Sequence, residues 1–353
     1  MSLWLERCLT GYFQLMGLTC GWSGSRLGRL LSSSFLVLIM IERSCEIRSY
    51  FRETFTDSDG NTSDTSYFFA NTVQGVNVGY KLVHLLIVGM ALIECQRSRR
   101  LLEQLPPVRI TPFIYRQIVL ETLLNGYILG LNIYLCKDRL GMLLECLRVV
   151  YSNQAVRARY LQVLLLVDRL DFQLEQLLQR MTTKGRTVDY KSLRCDYARL
   201  AKVTRSLSQL YGLSLLLLNV LCLGDCLIAC NVYFMVEYLE VLTASWFVFA
   251  QPVYIVVPTL IKIWTLCAAC QRCVGKAKYL QAQLRDRPGQ SPAERTQLEE
   301  FVLQIMQDPI HFDVCGIYQL NLQSLAGMFF FILEALVIFL QFVSLVGKNQ
   351  TMD

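Results

Sequence analysis

The run from Ser324 to Gly347, SLAGMFFFILEALVIFLQFVSLVG, is almost wholly apolar, broken by one acid, Glu334, and one amide, Gln341. A helix needs about 20 apolar residues to cross the hydrocarbon core of a bilayer, so this run is long enough to span it. A carboxylate inside a span is costly against lipid and normally faces protein or water. Glu334 and Gln341 are seven residues apart, nearly two helical turns, so they share one face, and that face continues to Lys348. Two readings follow. Either the stripe packs against neighbouring helices that satisfy its hydrogen bonds, or it faces a water-filled path.

A chain of 353 residues that is 54% hydrophobic suits several membrane spans better than a soluble domain. The formal net charge is only +6, so the placement of charges says more than their sum. The N-terminus does not read as a signal peptide. Glu6 and Arg7 interrupt it early and the apolar patch after them is short, which fits a cytosolic or interfacial segment. Fourteen cysteines would imply disulfides in a small secreted chain, but here many lie in apolar runs. Cys222, Cys226 and Cys230 share a helical face and read as packing. Cys267, Cys270 and Cys273 close an apolar run at a membrane boundary, a position suited to palmitoylation. Zinc would need further ligands that the neighbourhood does not supply.

Six more spans are expected ahead of Ser324. The first lies in Leu27 to Glu46, marginal against lipid and better suited to the inside of a bundle. A polar stretch, 47–71, follows and holds the sequon Asn61-Thr62-Ser63, a glycosylation site at Asn61 if the loop is external. The second span is Thr72 to Cys95. Lys81 and His84 inside it are a turn apart; they either share a polar pocket or, the favoured reading, snorkel and pack separately. The third is Gln117 to Cys136, with Glu121 near its start. A weak fourth crossing lies somewhere in 137–171. A basic loop, about 172–206, precedes the fifth span, Leu210 to Met235, which contains Asp225; at the start of that loop Phe172 to Met181 has helical spacing and suits a helix running on into the cytosol. The sixth is Val241 to Cys267, with Pro252 and Pro258 as expected kinks. In the polar stretch 274–311, Ser291-Pro292-Ala293-Glu294 reads as a helix start.

Charge asymmetry orients these spans. Residues 96–116 carry Arg97, Arg99, Arg100, Arg109 and Arg116 against Glu103, and 180–206 carries eight basic residues against Asp189 and Asp196. Residues 48–71 have Arg48 and Arg52 against Glu53, Asp57, Asp59 and Asp64, and the link after the fifth span is purely acidic. Every second connection is basic. The expected fold is an all-α polytopic membrane protein with seven transmembrane helices, an intracellular N-terminus and an extracellular C-terminus. G-protein-coupled receptors have the opposite orientation. No phosphate loop, zinc-protease motif or transporter-type repeat is present, two histidines supply a metal or triad site poorly, and no cofactor is expected. A basic loop beside so many spans does not argue for nucleic acid.

The C-terminal run also carries a resemblance. Leu336 to Leu340 followed by Gln341 and Phe342 resembles the signature of insect gustatory receptors, a Thr-Tyr pair, five hydrophobic residues and Gln-Phe, with Glu334 and Ala335 in place of Thr-Tyr. FDVCGIYQLN, Phe312 to Asn321, is similar to the segment that leads into the family's last helix. The resemblance implies a plasma-membrane, ligand-gated, non-selective cation channel of chemosensory neurons, a homo- or heterotetramer with other gustatory receptors that detects small-molecule tastants. It implies three parts: a six-helix bundle with an outward-facing pocket, 1–269; a cytosolic connector and subunit contact, 270–323; and a pore-lining seventh helix with a short tail, 324–353. Gln341 would stand near the gate with Phe342 beside it. Glu334, Ile338 and Lys348 join them as pore candidates, Glu334 forming a carboxylate ring under fourfold symmetry. In the outer halves of the spans, Tyr80, Tyr134, Tyr233, Trp246 and Gln251 are the ligand candidates, although packing is the favoured reading of each side chain taken singly. The related odorant receptors share this layout, and a multi-pass transporter or scaffold is the alternative from another class.

Overall fold

The structure, a computed structural model, describes residues 2–18, 26–56, 64–105, 112–136, 140–182, 189–239, 246–287 and 291–350. Among these, seven helices reach 25 residues or more: α2 (Arg26–Thr56), α3 (Asp64–Ile93), α5 (Pro112–Cys136), α6 (Leu140–Thr182), α7 (Tyr190–Leu239), α8 (Trp246–Arg285) and α10 (Leu322–Gln350). Three shorter ones, α1 (Ser2–Leu15), α4 (Cys95–Gln104) and α9 (Pro292–Gln307), and a two-stranded hairpin, β1 (Asp313–Val314) with β2 (Tyr318–Gln319), are the other elements among the described residues. Each expected span has its long helix.

The helices outrun the apolar segments that announce them. At 1.5 Å per residue, α6, α7 and α8, with 43, 50 and 40 residues, each far exceed the roughly 30 Å of a hydrocarbon core. The expected basic loop is therefore mostly helix: α6 runs to Thr182, α7 starts at Tyr190, and only 183–189 joins them. Amphipathic spacing explains this. In 170–182 the buried apolar positions are Leu170, Leu174, Leu177 and Met181, and in 190–207 they include Leu193, Tyr197, Leu200 and Leu207, repeats of three and four that put one apolar stripe on each helix. Residues 47–56, expected as polar loop, likewise continue α2, and α3 begins at Asp64 rather than Thr72.

Beyond the apolar segments, the ends of α6, α7 and α8 and all of α9 form one core. Leu280, Leu284, Leu298, Phe301, Ile305 and Ile310 are buried together with the α6 and α7 stripes. Lys276 of α8 bonds Asp171 and Glu175 of α6, both at 2.9 Å. Burial pulls its ammonium down, but these two carboxylates outweigh that and leave it above the usual lysine range. α9 starts as the sequence indicates: Ser291 caps it, its hydroxyl accepting from the Glu294 N–H at 3.2 Å, with Pro292 in the first turn.

The hairpin between α9 and α10 was not foreseen. Cys315 and Gly316 both take positive φ, 53° and 70°, and the Ile317 N–H closes the turn on the Val314 carbonyl at 3.0 Å. The turn lies against α7 at Gly212, where an added Cβ would stand 3.0 Å from the Cys315 nitrogen. Gly212→Val is expected to cost about 1–3 kcal/mol by forcing the two backbones apart, read as a lower melting temperature of the purified protein.

Candidate functional site

Several polar residues of α2, α3 and α5 to α8 are collected between helices. Arg43 of α2 is 1% exposed and donates to Glu46 at 2.7 Å, to Glu42 at 2.9 Å and to Ser152 of α6 at 2.9 Å. Lys81 of α3 lies 3.3 Å from Glu46, and Arg148 of α6 closes the group at 3.4 Å from the same carboxylate. Lys81 thus pairs with α2 instead of snorkelling. His84, one turn on, faces another way: its Nε2 meets the Met16 carbonyl at 3.1 Å and its ring packs edge-on against Tyr151, 5.4 Å between centroids. The two have different direct partners, although Arg43 adjoins both, pairing with Glu46 and lying 5.5 Å over the Tyr151 ring. A second pair crosses from α5 to α8, where Lys262 donates to Glu121 at 2.9 Å, both side chains largely buried.

A third polar group runs between α6 and α7. Tyr80 of α3 donates to Asp225 of α7, and Arg157 of α6 lies 3.9 Å from the same carboxylate. Nearly two turns earlier on α7, Asn219 accepts from Tyr160 of α6 at 2.7 Å and donates to the hydroxyl of Tyr318 in β2. Arg157 and Tyr160, three apart on α6, and Asp225 and Asn219, six apart on α7, make two rungs. The upper rung reaches α3; the lower reaches the hairpin that leads into α10. In the sequence Asp225 was visible as an acid in a span, but Asn219 and Tyr318, 99 residues apart, gave no sign of being partners.

Beside the lower rung is a cavity of about 400 Å³ between α7, α8 and the first turns of α10. Leu260 and Ile263 of α8, Met328 and Phe331 of α10, and Asn219 and Tyr318 are among its walls.

α10 is held at one end. Leu325 is buried in the bundle core, whereas Phe329, Phe330, Phe331, Leu333, Val337 and Ile338 are all exposed, Phe330 at 67% and Ile338 at 64%. Glu334 and Gln341 are exposed as well. Glu334 is nine residues beyond Leu325, about two and a half turns, so it lies on the face opposite the anchored one, and Gln341 lies within about 20° of Glu334 around the helix. Of the two readings of the polar stripe, packing within the same protomer is therefore set aside. Phe342 and Lys348 fall on α10, but their side chains are outside the described residues.

The ligand candidates separate. Tyr80 is sealed in the bundle and engaged with Asp225. Tyr134, 68% exposed, stands on the outside of α5, so these two do not line one concave wall. Tyr233 lies on α7 and Trp246 and Gln251 on α8, with side chains outside the described residues, and Asn61 is also outside them. Cys267, Cys270 and Cys273 are buried, Cys270 completely, and Cys273 approaches the Val167 carbonyl of α6 at 3.6 Å. They face the bundle core, which removes the palmitoylation reading and leaves them as small packing residues. Cys222 and Cys226 are buried too, as their spacing indicated; Cys230 is on α7 with its side chain outside the described residues.

Known proteins share this architecture. The sequence profile described as 7tm Chemosensory receptor matches residues 6–345. A Drosophila melanogaster chain that carries the provisional name gustatory receptor 9a is 63% identical over 349 residues, which cover 98% of this chain and 99% of that one. The solved insect olfactory receptor OR5 from Machilis hrabei superposes with a TM-score of 0.66 over 96% of this chain and 97% of that chain, at 13% identity. The same receptor in complex with eugenol gives 0.64 over 96% and 99%, also at 13% identity. Seven long helices in one bundle, a match to the family profile over nearly the whole chain and the near-complete alignment with a gustatory relative together place this protein in the insect gustatory receptor group of the 7tm chemosensory receptor family, helical membrane proteins.

Proposed function

We propose that this chain is a subunit of a ligand-gated, non-selective cation channel that detects small-molecule tastants in the plasma membrane of chemosensory neurons, with its N-terminus inside and its C-terminus outside. The observation that carries the reading is α10. It is anchored by Leu325, turns an apolar surface with Glu334 and Gln341 away from its own bundle, and is long enough to span. A carboxylate and an amide on an outward face are poorly placed against lipid. Four copies around an axis would bring the stripe onto a shared water path, with Gln341 and Phe342 near the gate and Ile338 and Lys348 on the same lining. The assembly is a homotetramer or a heterotetramer with other gustatory receptors. The 63% identity to a gustatory relative, against 13% to the olfactory receptor, supports taste over odour.

The ligand pocket belongs to the outer half of the bundle, and Tyr233, Trp246 and Gln251 remain its proposed walls. Tyr80 supports the pocket from behind through Asp225 rather than touching ligand. Asn61 is proposed as an external glycosylation site. The test is whole-cell current from cells expressing the chain, alone and with candidate partner receptors, across a broad tastant panel. A ligand-evoked cation current that Gln341→Ala abolishes or strongly alters is expected. Current unchanged by Gln341→Ala, or a surface-expressed protein whose C-terminal tag is cytosolic, would overturn the reading.

A further inference from the structure

The cavity at the base of α10 has the make-up of a binding site, and it lies apart from the outer-bundle pocket proposed above. Its volume of about 400 Å³ falls in the range of small-molecule sites, roughly 300–1,000 Å³. Its walls are mainly Leu, Ile, Val, Met and Phe, and the hydrogen-bonding side chains among them are Asn219, Tyr318 and Ser324. The Tyr318 hydroxyl accepts from Asn219. Asn219 in turn spends its carbonyl oxygen on Tyr160. For its own proton, Tyr318 has no acceptor among the described residues, and the second hydrogen of the Asn219 amide is likewise uncommitted there. Two donors therefore stand at one end of an apolar chamber without a matching acceptor, an arrangement that is unfavourable when dry and becomes favourable once an acceptor arrives. Among the described residues no cationic side chain lines the chamber, so nothing described there favours an anion. Phe329 and Phe331, both exposed, border it on the α10 side, which gives it an apolar approach.

We propose that this cavity binds a small, uncharged, mainly apolar molecule bearing one hydrogen-bond acceptor, delivered from the bilayer, with the acceptor held by Tyr318 and Asn219. The occupant sits between α10 and the two helices that anchor it, and the lower rung of the α6–α7 polar group forms its head site.

Benzophenone has this chemistry, two apolar rings around one ketone oxygen, and reports its own position. Its photoexcited carbonyl takes a hydrogen from a nearby C–H bond and the two radicals join, leaving a tertiary alcohol adduct. The full chain, purified in lipid nanodiscs, would be irradiated across a range of benzophenone concentrations and the adducts mapped by mass spectrometry. Saturable labelling at Met328 is expected. Tyr318→Phe, which keeps the ring and removes the donor, is expected to cut labelling at a subsaturating concentration about fivefold, the equivalent of one hydrogen bond. Leu260→Trp, which fills the chamber, is expected to abolish it. Labelling that rises linearly with concentration and ignores Tyr318→Phe marks exposure to bilayer only and overturns the site. Absence of labelling at Met328 also overturns it, and is the result if a second copy of the chain fills the cavity. Loss in Leu260→Trp with no change in Tyr318→Phe overturns the acceptor head. Should Leu260→Trp fail to fold, Tyr318→Phe decides alone.

Discussion

Lys262→Met is expected to remove most of the folded protein, and the double variant Glu121→Leu with Lys262→Met to recover it. Lys262 reaches across from α8 to Glu121 of α5 at 2.9 Å, and the side chains are 11% and 6% exposed. Inside a bundle each charge has given up its hydration and depends on the other. Deleting one partner of a buried pair leaves the other uncompensated, at a cost of about 3–5 kcal/mol. That is a large share of the roughly 5–15 kcal/mol that holds most proteins folded. Replacing both partners with apolar residues of similar size removes the cost along with the attraction, and such exchanges are commonly neutral or better. The measurement is the monodisperse fraction and melting temperature of detergent-solubilised protein by fluorescence-detected size exclusion. Equal behaviour of the single and double variants would mean that Glu121 finds water or another cation, and that the pair does not tie α5 to α8.

Glu334→Gln carries the largest expected functional effect. It keeps shape and hydrogen-bonding capacity but discards a charge that fourfold assembly would repeat around the pore. A ring of carboxylates concentrates cations at the lining, so its loss should lower single-channel conductance several-fold and reduce the preference for divalent over monovalent cations. The ratio of wild-type to variant conductance should widen as salt is diluted, because the Debye length grows from about 10 Å at 0.1 M to about 30 Å at 0.01 M. Currents that match wild type at every ionic strength would assign Glu334 to packing between subunits. Lys348, seven residues on from Gln341, lies on the same helical face, so Lys348→Gln should move conductance in the opposite direction.

Both experiments turn on residues that the sequence marked for different reasons and with different completeness. Glu334 and Gln341 were readable because a polar residue in an apolar run is rare and because seven residues fix a common face. Whether that face was packed or open was not readable, since it depends on what lies beside the helix. The buried Leu325, half a turn out of phase with Glu334, settled that within the protomer. Glu121 was visible as an acid in a span, but its partner lies 141 residues away and no local pattern points to it. The same holds for Lys81, whose snorkelling was a fair expectation until α2 supplied Glu46.

The sequence by itself marked the chain as a polytopic helical membrane protein, because apolar runs of spanning length are imposed by bilayer thickness and need no tertiary context; the count of seven also needed the alternation of charge, which requires the weak fourth crossing. It also marked the last span as special and Ser291 as a helix start, since both are local events. Helical spacing in Phe172 to Met181 already pointed to the extension of α6, but tertiary structure alone decided how far α7 and α8 run past the apolar segments, because their polar halves are held as helix by packing against the α6 stripe. It alone turned the Cys267–Cys270–Cys273 group inward, since spacing gives a shared side but not its direction. And it alone brought Tyr318 to Asn219 and left a cavity beside them, because a contact across 99 residues is made by the fold and not by the neighbours of either residue.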